Sequence, residues 1–220
     1  MKKVISFCLW GSDPRYTVGA LRNAQLARDI YPDWICRYYI AKCVPAGIVN
    51  NLFMMNNTEI IITNEPGDWN GMFWRFYAAS DPHVDIMISR DTDSRLNHRE
   101  KAAVDEWLAG EKDFHIMRDH PAHDAPIMGG MWGVRNRLLF NMADLISQFP
   151  KGDFWQVDQN FLRSMVYPLV REHACVHDEY FEKQSFPTVR EGGHDEEGNP
   201  MTFVGQVFNE NDVDSRIWDK

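Results

Sequence analysis

The chain has 220 residues, 23 Lys and Arg against 32 Asp and Glu, and a formal net charge of −9, with 44% apolar and 13% aromatic residues. That balance belongs to an ordinary globular chain with a sizeable core and excludes an intrinsically disordered one. The acidic excess speaks against a general nucleic-acid binder, and no run approaches the roughly 18 consecutive apolar residues that span a bilayer.

The N-terminus, MKKVISFCLWG, has the outline of a signal peptide. Its apolar part is only Val4 to Trp10, however, broken by Ser6, and Gly-Ser-Asp-Pro follows in place of a small-residue cleavage site. It reads as a buried strand, Lys3–Leu9. Cys8, Cys36, Cys43 and Cys175 form no C-x-x-C pair, as expected of a reduced, cytoplasmic chain. Thr17–Tyr31 reads as a helix with Val18, Leu21, Leu26 and Ile30 on or near one face, ended by Pro32. Trp34–Ile40 is a second strand, Pro45 opens a short helix through Met54, and Glu59–Thr63 is a third strand.

Gly71–Ser80 reads as an aromatic-rich helix and Val84–Ser89 as a strand. Asn97 and Glu100 have capping-box spacing for a helix to Ala109, and Phe114–Met117 is a further strand. The alternation predicts an α/β sheet of mostly parallel strands flanked by helices, in one domain over residues 1–220. The alternation divides at 117/118, with the regular strand–helix order in 1–117 and a different pattern in the last third of the chain. The last third expects an exposed loop or hairpin at Glu191–Pro200 and a late strand at Phe203–Phe208.

Ligands in such sheets sit beyond the carboxyl ends of the strands. The strand Val84–Ser89 delivers Asp91 and Asp93 into the loop at that end. Two hard oxygen donors at i and i+2 can share Mg²⁺ or Mn²⁺ and leave open positions for phosphate oxygens. Arg90 and Arg95 flank the pair and could neutralise it or reach a diphosphate. The plain alternative is a solvated D-x-D turn.

A D-x-D after a mid-chain strand, behind an N-terminal strand–loop–helix, resembles the GT-A nucleotide-sugar glycosyltransferases. Three further segments are similar to that family: the helix around Arg75, the Gly-rich stretch Ile127–Arg135, and Asp158-Gln159 with Leu162, which looks like a D-Q-x-x-L segment. The compact length also resembles small glycosyltransferase domains of large DNA viruses and bacteria. The resemblance implies a GT-A fold and transfer of a sugar from a nucleotide-sugar, a UDP-sugar above all, to a glycan or protein-linked acceptor, with a slight preference for retention.

It also implies a nucleotide-binding half, 1–117, an acceptor and catalytic half, 118–220, and residue roles. Asp91, Asp93 and a late His, here His177, would hold Mn²⁺ or Mg²⁺. Leu9, Gly11, Tyr16, Arg75, Arg90, Asp91 and Gly130 would meet the donor, Trp132, His120 and His123 the acceptor, and Asp158 and Gln159 the reaction centre. Structural alternatives stand beside these: His177 as a surface histidine, Asp158 as a helix cap, and the Gly11 loop as a tight turn.

Three other functions fit parts of the sequence. His115, His120 and His123, with Asp119 and Asp124, suggest a zinc hydrolase, although Pro121 interrupts helical presentation. Asp91 and Asp93 suggest a D-x-D-x-T phosphatase, but Arg95 stands where that pattern wants Thr or Val. The aromatic residues suit a non-catalytic nucleotide-sugar or glycan binder, unless most of the rings are core.

Overall fold

The computed structural model describes residues 1–215. Seven strands form one sheet in the order β3-β2-β1-β4-β6-β5-β7: β1 Lys3–Leu9, β2 Ile35–Ala41, β3 Thr58–Thr63, β4 Ile86–Ser89, β5 Phe114–Arg118, β6 Trp132–Arg135 and β7 Ala174–Asp178. Only β6 runs against its neighbours; it lies between β4 and β5, so the sheet continues across the 117/118 boundary. The central strands are buried on both faces, hence their near-continuous apolar runs.

One face carries α1 (Pro14–Ile30), α2 (Ala46–Phe53) and α3 (His98–Ala109). Asp13 caps α1 by accepting from Arg15 N at 2.9 Å, with Pro14 in the first turn; Asn97 caps α3 by accepting from Glu100 N at 2.9 Å. The capping-box spacing marked the start of α3, but Glu100 points inward rather than back to the cap. The buried stripe of α1 is Gly19, Ala20, Asn23, Ala24, Ala27 and Ile30, while Val18, Leu21 and Leu26 are half-buried. Small residues, not the large ones expected, let α1 lie close on the sheet.

The other face carries a 3₁₀ segment, Trp69–Ser80, with α4 (Met142–Gln148) and α5 (Val157–Phe161). After α5 the chain takes a π turn, Leu162–Val166, and a last turn, α6, Tyr167–Val170. The aromatic-rich helix expected at Gly71–Ser80 is thus 3₁₀, and its rings are core: Phe73, Trp74 and Phe76 are fully buried.

Beyond β7 the chain packs as coil. Buried Asp119 fastens it: Arg99 Nε donates to its carboxylate at 2.9 Å, Arg190 Nη2 at 2.7 Å and Val204 N at 2.9 Å. Phe203–Phe208 is not a strand. It makes two isolated antiparallel bridges, Val207 to Ser94 and Phe208 to Asp214, and Phe208 N donates to Asp93 O at 2.8 Å. Glu191–Pro200 closes through a single bridge from His194 to Pro200. Among the described residues no helix is long and apolar enough to cross a membrane.

Candidate active site

The D-x-D loop leaves β4 at the carboxyl edge of the sheet, between β1 and β6. Asn23 on α1 holds it. Its Nδ2 donates to Thr92 O and Ser94 O at 3.3 and 2.9 Å, and its Oδ1 accepts from Leu96 N at 3.0 Å. Gly19, one turn earlier, sits so close that a Cβ there would overlap Thr92 O. Sequence reading missed both residues; an Asn and a Gly at helical spacing on an otherwise alanine-lined face were the available signal.

Arg75 organises the carboxylates. Its guanidinium, 5% exposed, pairs with Asp91 through Nη1 and with Asp158 Oδ2 through Nη2 at 2.8 Å. Burial works against this charge, but Asp91, Cys8 and Asp158 raise the Arg75 pKa well above its ordinary value. Asp158 sits in the first turn of α5, where its Oδ1 accepts from Gln159 N at 2.8 Å. Burial pushes its pKa up while Arg75 opposes that shift. Burial and then the charge of Asp91 push half-buried Asp93 up to about 7.

Two glycines permit the assembly. A Cβ on Gly129 would stand 2.5 Å from both Arg75 Nη2 and Asp158 Oδ2, and one on Gly130 would overlap the Asp91 carboxylate. Tyr16, partly exposed at the start of α1, is near enough to Asp93 and Asp91 for their charges, after burial, to raise its pKa. Gly11 has φ +72°, a conformation that favours glycine, and open space beside it. Leu9 is 1% exposed as a whole residue and pairs with Ile40 of β2, which removes it from the donor surface expected of it. Gln159 is half-buried next to Asp158.

Other expected site residues lie elsewhere. Arg90 follows Ser89 in an extended chain and so takes the opposite face. It is 2% exposed, pairs with Glu100 at 3.1 Å and bonds Ser89 O, so it cannot meet a donor. Arg95 bonds Asp212, Ser94 O and Asn209 O rather than reaching for a diphosphate. Trp132 is fully buried against Phe114 and Phe76, which removes it from any acceptor surface. His120 and His123 are buried beneath Phe203 of the C-terminal coil, with ring centroids 4.5 and 5.7 Å from it.

His177 faces α3, not the D-x-D loop. Its Nδ1 is 2.8 Å from His115 Nε2 and its Nε2 is 3.4 Å from Glu106. His115 is thereby separated from His120 and His123, so the histidines proposed for zinc do not converge. Among the described residues, no group of three or more His, Cys, Asp or Glu side chains is arranged to hold a metal ion. Asp91 and Asp93 remain the pair that could share one with a ligand's own oxygens. Asp91 and Asp158 share one buried guanidinium, and Asp93 lies near enough to Asp91 to feel its charge, an acidic surplus that suits a divalent cation.

Exposed Phe154 and Trp155 stand immediately before the α5 turn that carries Asp158. They are surface aromatic residues of the last third that sequence reading did not single out, because exposure is not legible in a Phe-Trp pair.

The overall fold recurs in solved structures. One is a glycosyltransferase involved in glycosylating the major capsid of PBCV-1, 16% identical, with a TM-score of 0.50, covering 84% of this chain and 91% of that one. The chain has the GT-A glycosyltransferase fold. The GT-A fold is shared at TM-score 0.51 with the galactosyltransferase LgtC in complex with donor and acceptor sugar analogs, 11% identical, over 80% of this chain and 73% of that one. It is shared at 0.50 with glucosyl-3-phosphoglycerate synthase from Mycobacterium tuberculosis in complex with Mn²⁺, UDP and glucosyl-3-phosphoglycerate, 11% identical, over 80% and 69%. No protein-family model and no curated protein matches the sequence.

Proposed function

We propose that the chain is a metal-assisted glycosyltransferase that moves a sugar from a nucleotide-sugar, a UDP-sugar, to a glycan or glycoprotein acceptor. The observation that carries this reading is the Arg75 bridge between Asp91 and Asp158, beside Asp93 at the carboxyl end of β4. The GT-A fold supports it, as do the Mn²⁺ and UDP in the M. tuberculosis synthase of the same fold.

In this reading Asp91 and Asp93 hold Mn²⁺ or Mg²⁺. When bound, the ion offsets the charge that develops on the departing diphosphate. The Gly11 backbone and Tyr16 receive the nucleoside, and Gly130 leaves the Asp91 carboxylate room to lie where the donor's metal is held. Arg75 opposes the effect of burial on the Asp158 carboxylate and fixes its direction. Asp158 and Gln159 then stabilise positive charge on the transferring sugar, in a retaining course. The acceptor enters past Phe154 and Trp155, whose rings suit sugar C–H faces.

The test is UDP release from UDP-sugars with Mn²⁺ present. Wild type should release UDP, and Asp158→Asn should lose turnover while binding UDP about as well. Equal loss of binding and turnover would move Asp158 from chemistry to fold maintenance. No release from any nucleotide-sugar would end the reading.

A further inference from the structure

The strands under the site carry two residues that do not suit their surroundings. Ser6 lies between Ile5 and Phe7 in β1, and Ser89 follows Ile88 in β4; both are 0% exposed. Serine is a poor strand former, and burying its hydroxyl is costly unless a partner receives it. The two are direct neighbours across the parallel β1–β4 pair.

Each hydroxyl leaves the sheet on the side of the 3₁₀ segment. Ser6 Oγ donates to Arg75 O at 2.6 Å, and Ser89 Oγ donates to Gly129 O at 2.8 Å. These are the two backbone points on which the charge cluster rests. Arg75 carries the guanidinium, and Gly129 approaches it and Asp158 so closely that a Cβ would stand 2.5 Å from each. Cys8, two residues beyond Ser6, makes a long sulfur contact of 4.0 Å with Met72 O.

The spacing matches. Two strand residues advance about 6.6 Å, and three 3₁₀ residues, Met72 to Arg75, advance about 6 Å. An α-helix, rising about 4.5 Å over three residues, would fall out of step. The 3₁₀ form of Trp69–Ser80 therefore brings successive turns into step with alternate residues of β1.

We infer that Ser6 and Ser89 are a pair of positioning residues that together set the Arg75 guanidinium against Asp91 and Asp158. Their catalytic consequence rests on the proposed transfer reaction, whereas their effect on Arg75 does not.

The experiment therefore has two arms, applied to Ser6→Ala, Ser89→Ala and the double variant. Tyr38→Phe is the control: it removes a similar buried bond to a backbone carbonyl, Tyr38 Oη to Ala20 O at 2.8 Å, on the opposite face. The first arm measures rotation of the Arg75 guanidinium about its Nε–Cζ bond by NMR. It should be slow in wild type and Tyr38→Phe and several-fold faster in each alanine variant. The second arm measures transfer well below each variant's melting temperature. kcat should fall about 10- to 100-fold with little change in donor KM, and the double variant should lose less than the product of the two singles.

Rotation in the alanine variants equal to that in Tyr38→Phe would overturn the inference. So would faster rotation with kcat unchanged. If wild type transfers no sugar, the functional reading fails, and the rotation arm alone decides what the serines do.

Discussion

Gly130 is packed so closely against Asp91 that no side chain fits between them: a Cβ would overlap the carboxylate and stand 2.8 Å from Asp91 N. Gly129 differs in kind, because a Cβ there meets only the ends of two side chains, Arg75 and Asp158. The two positions therefore separate folding from chemistry.

Gly130→Ala should lower stability by about 1–3 kcal/mol, because backbone must shift. Gly129→Ala should cost less stability, since flexible ends can move, and still lose turnover by displacing Arg75 from Asp158. Urea denaturation beside UDP-release kinetics checks both. Full activity in Gly129→Ala would contradict the arrangement.

Asn23 joins α1 to the D-x-D loop through three hydrogen bonds, so Asn23→Ala leaves the Leu96 amide without its partner and leaves Thr92 O and Ser94 O with Arg95 Nη1 alone. The expected cost is about 1–3 kcal/mol. Because the loop carrying both aspartates is loosened, metal-dependent UDP binding should weaken at least as much. Calorimetry on the folded variant checks this, and unchanged affinity would detach Asn23 from the site.

These residues also mark what the sequence made legible. The apolar runs of β1 and β4 and the Asp pair at the end of β4 were readable, because a buried strand announces itself by composition and its loop position follows. Arg90 was misread although strand alternation separates it from Ser89. Trp132 was misread because its burial comes from Phe76 and Phe114, which are distant in sequence. His177 was misassigned because Ala174–Asp178 was not recognised as a strand, and it is its place in that strand that turns the ring toward Glu106. The C-terminal coil has no periodicity. Its position depends on Asp119 being gripped by Arg99 and Arg190.

Asp93 gives the metal-free protein a defined pH dependence. Its native pKa of about 7 lies above the ordinary 3.8, raised by burial and by Asp91. Between these values the unfolded chain has lost this proton and the native one keeps it. The Asp93 contribution to stability is therefore full below about pH 4, falls as pH rises to about 7, and stays lost above. Asp93→Asn removes that loss. Its melting temperature relative to wild type, measured with chelator present, should rise from pH 4 to 7 and level off by pH 8. A difference independent of pH would contradict the burial argument.

The central claim is that Asp91 and Asp93 bind a nucleoside diphosphate through a divalent ion. Titration of UDP into the chain by calorimetry, with and without Mn²⁺, for wild type and Asp93→Ala, tests it most directly. The account predicts at least tenfold tighter binding with Mn²⁺ in wild type and loss of that gain in Asp93→Ala. UDP binding that is indifferent both to Mn²⁺ and to Asp93→Ala would contradict it.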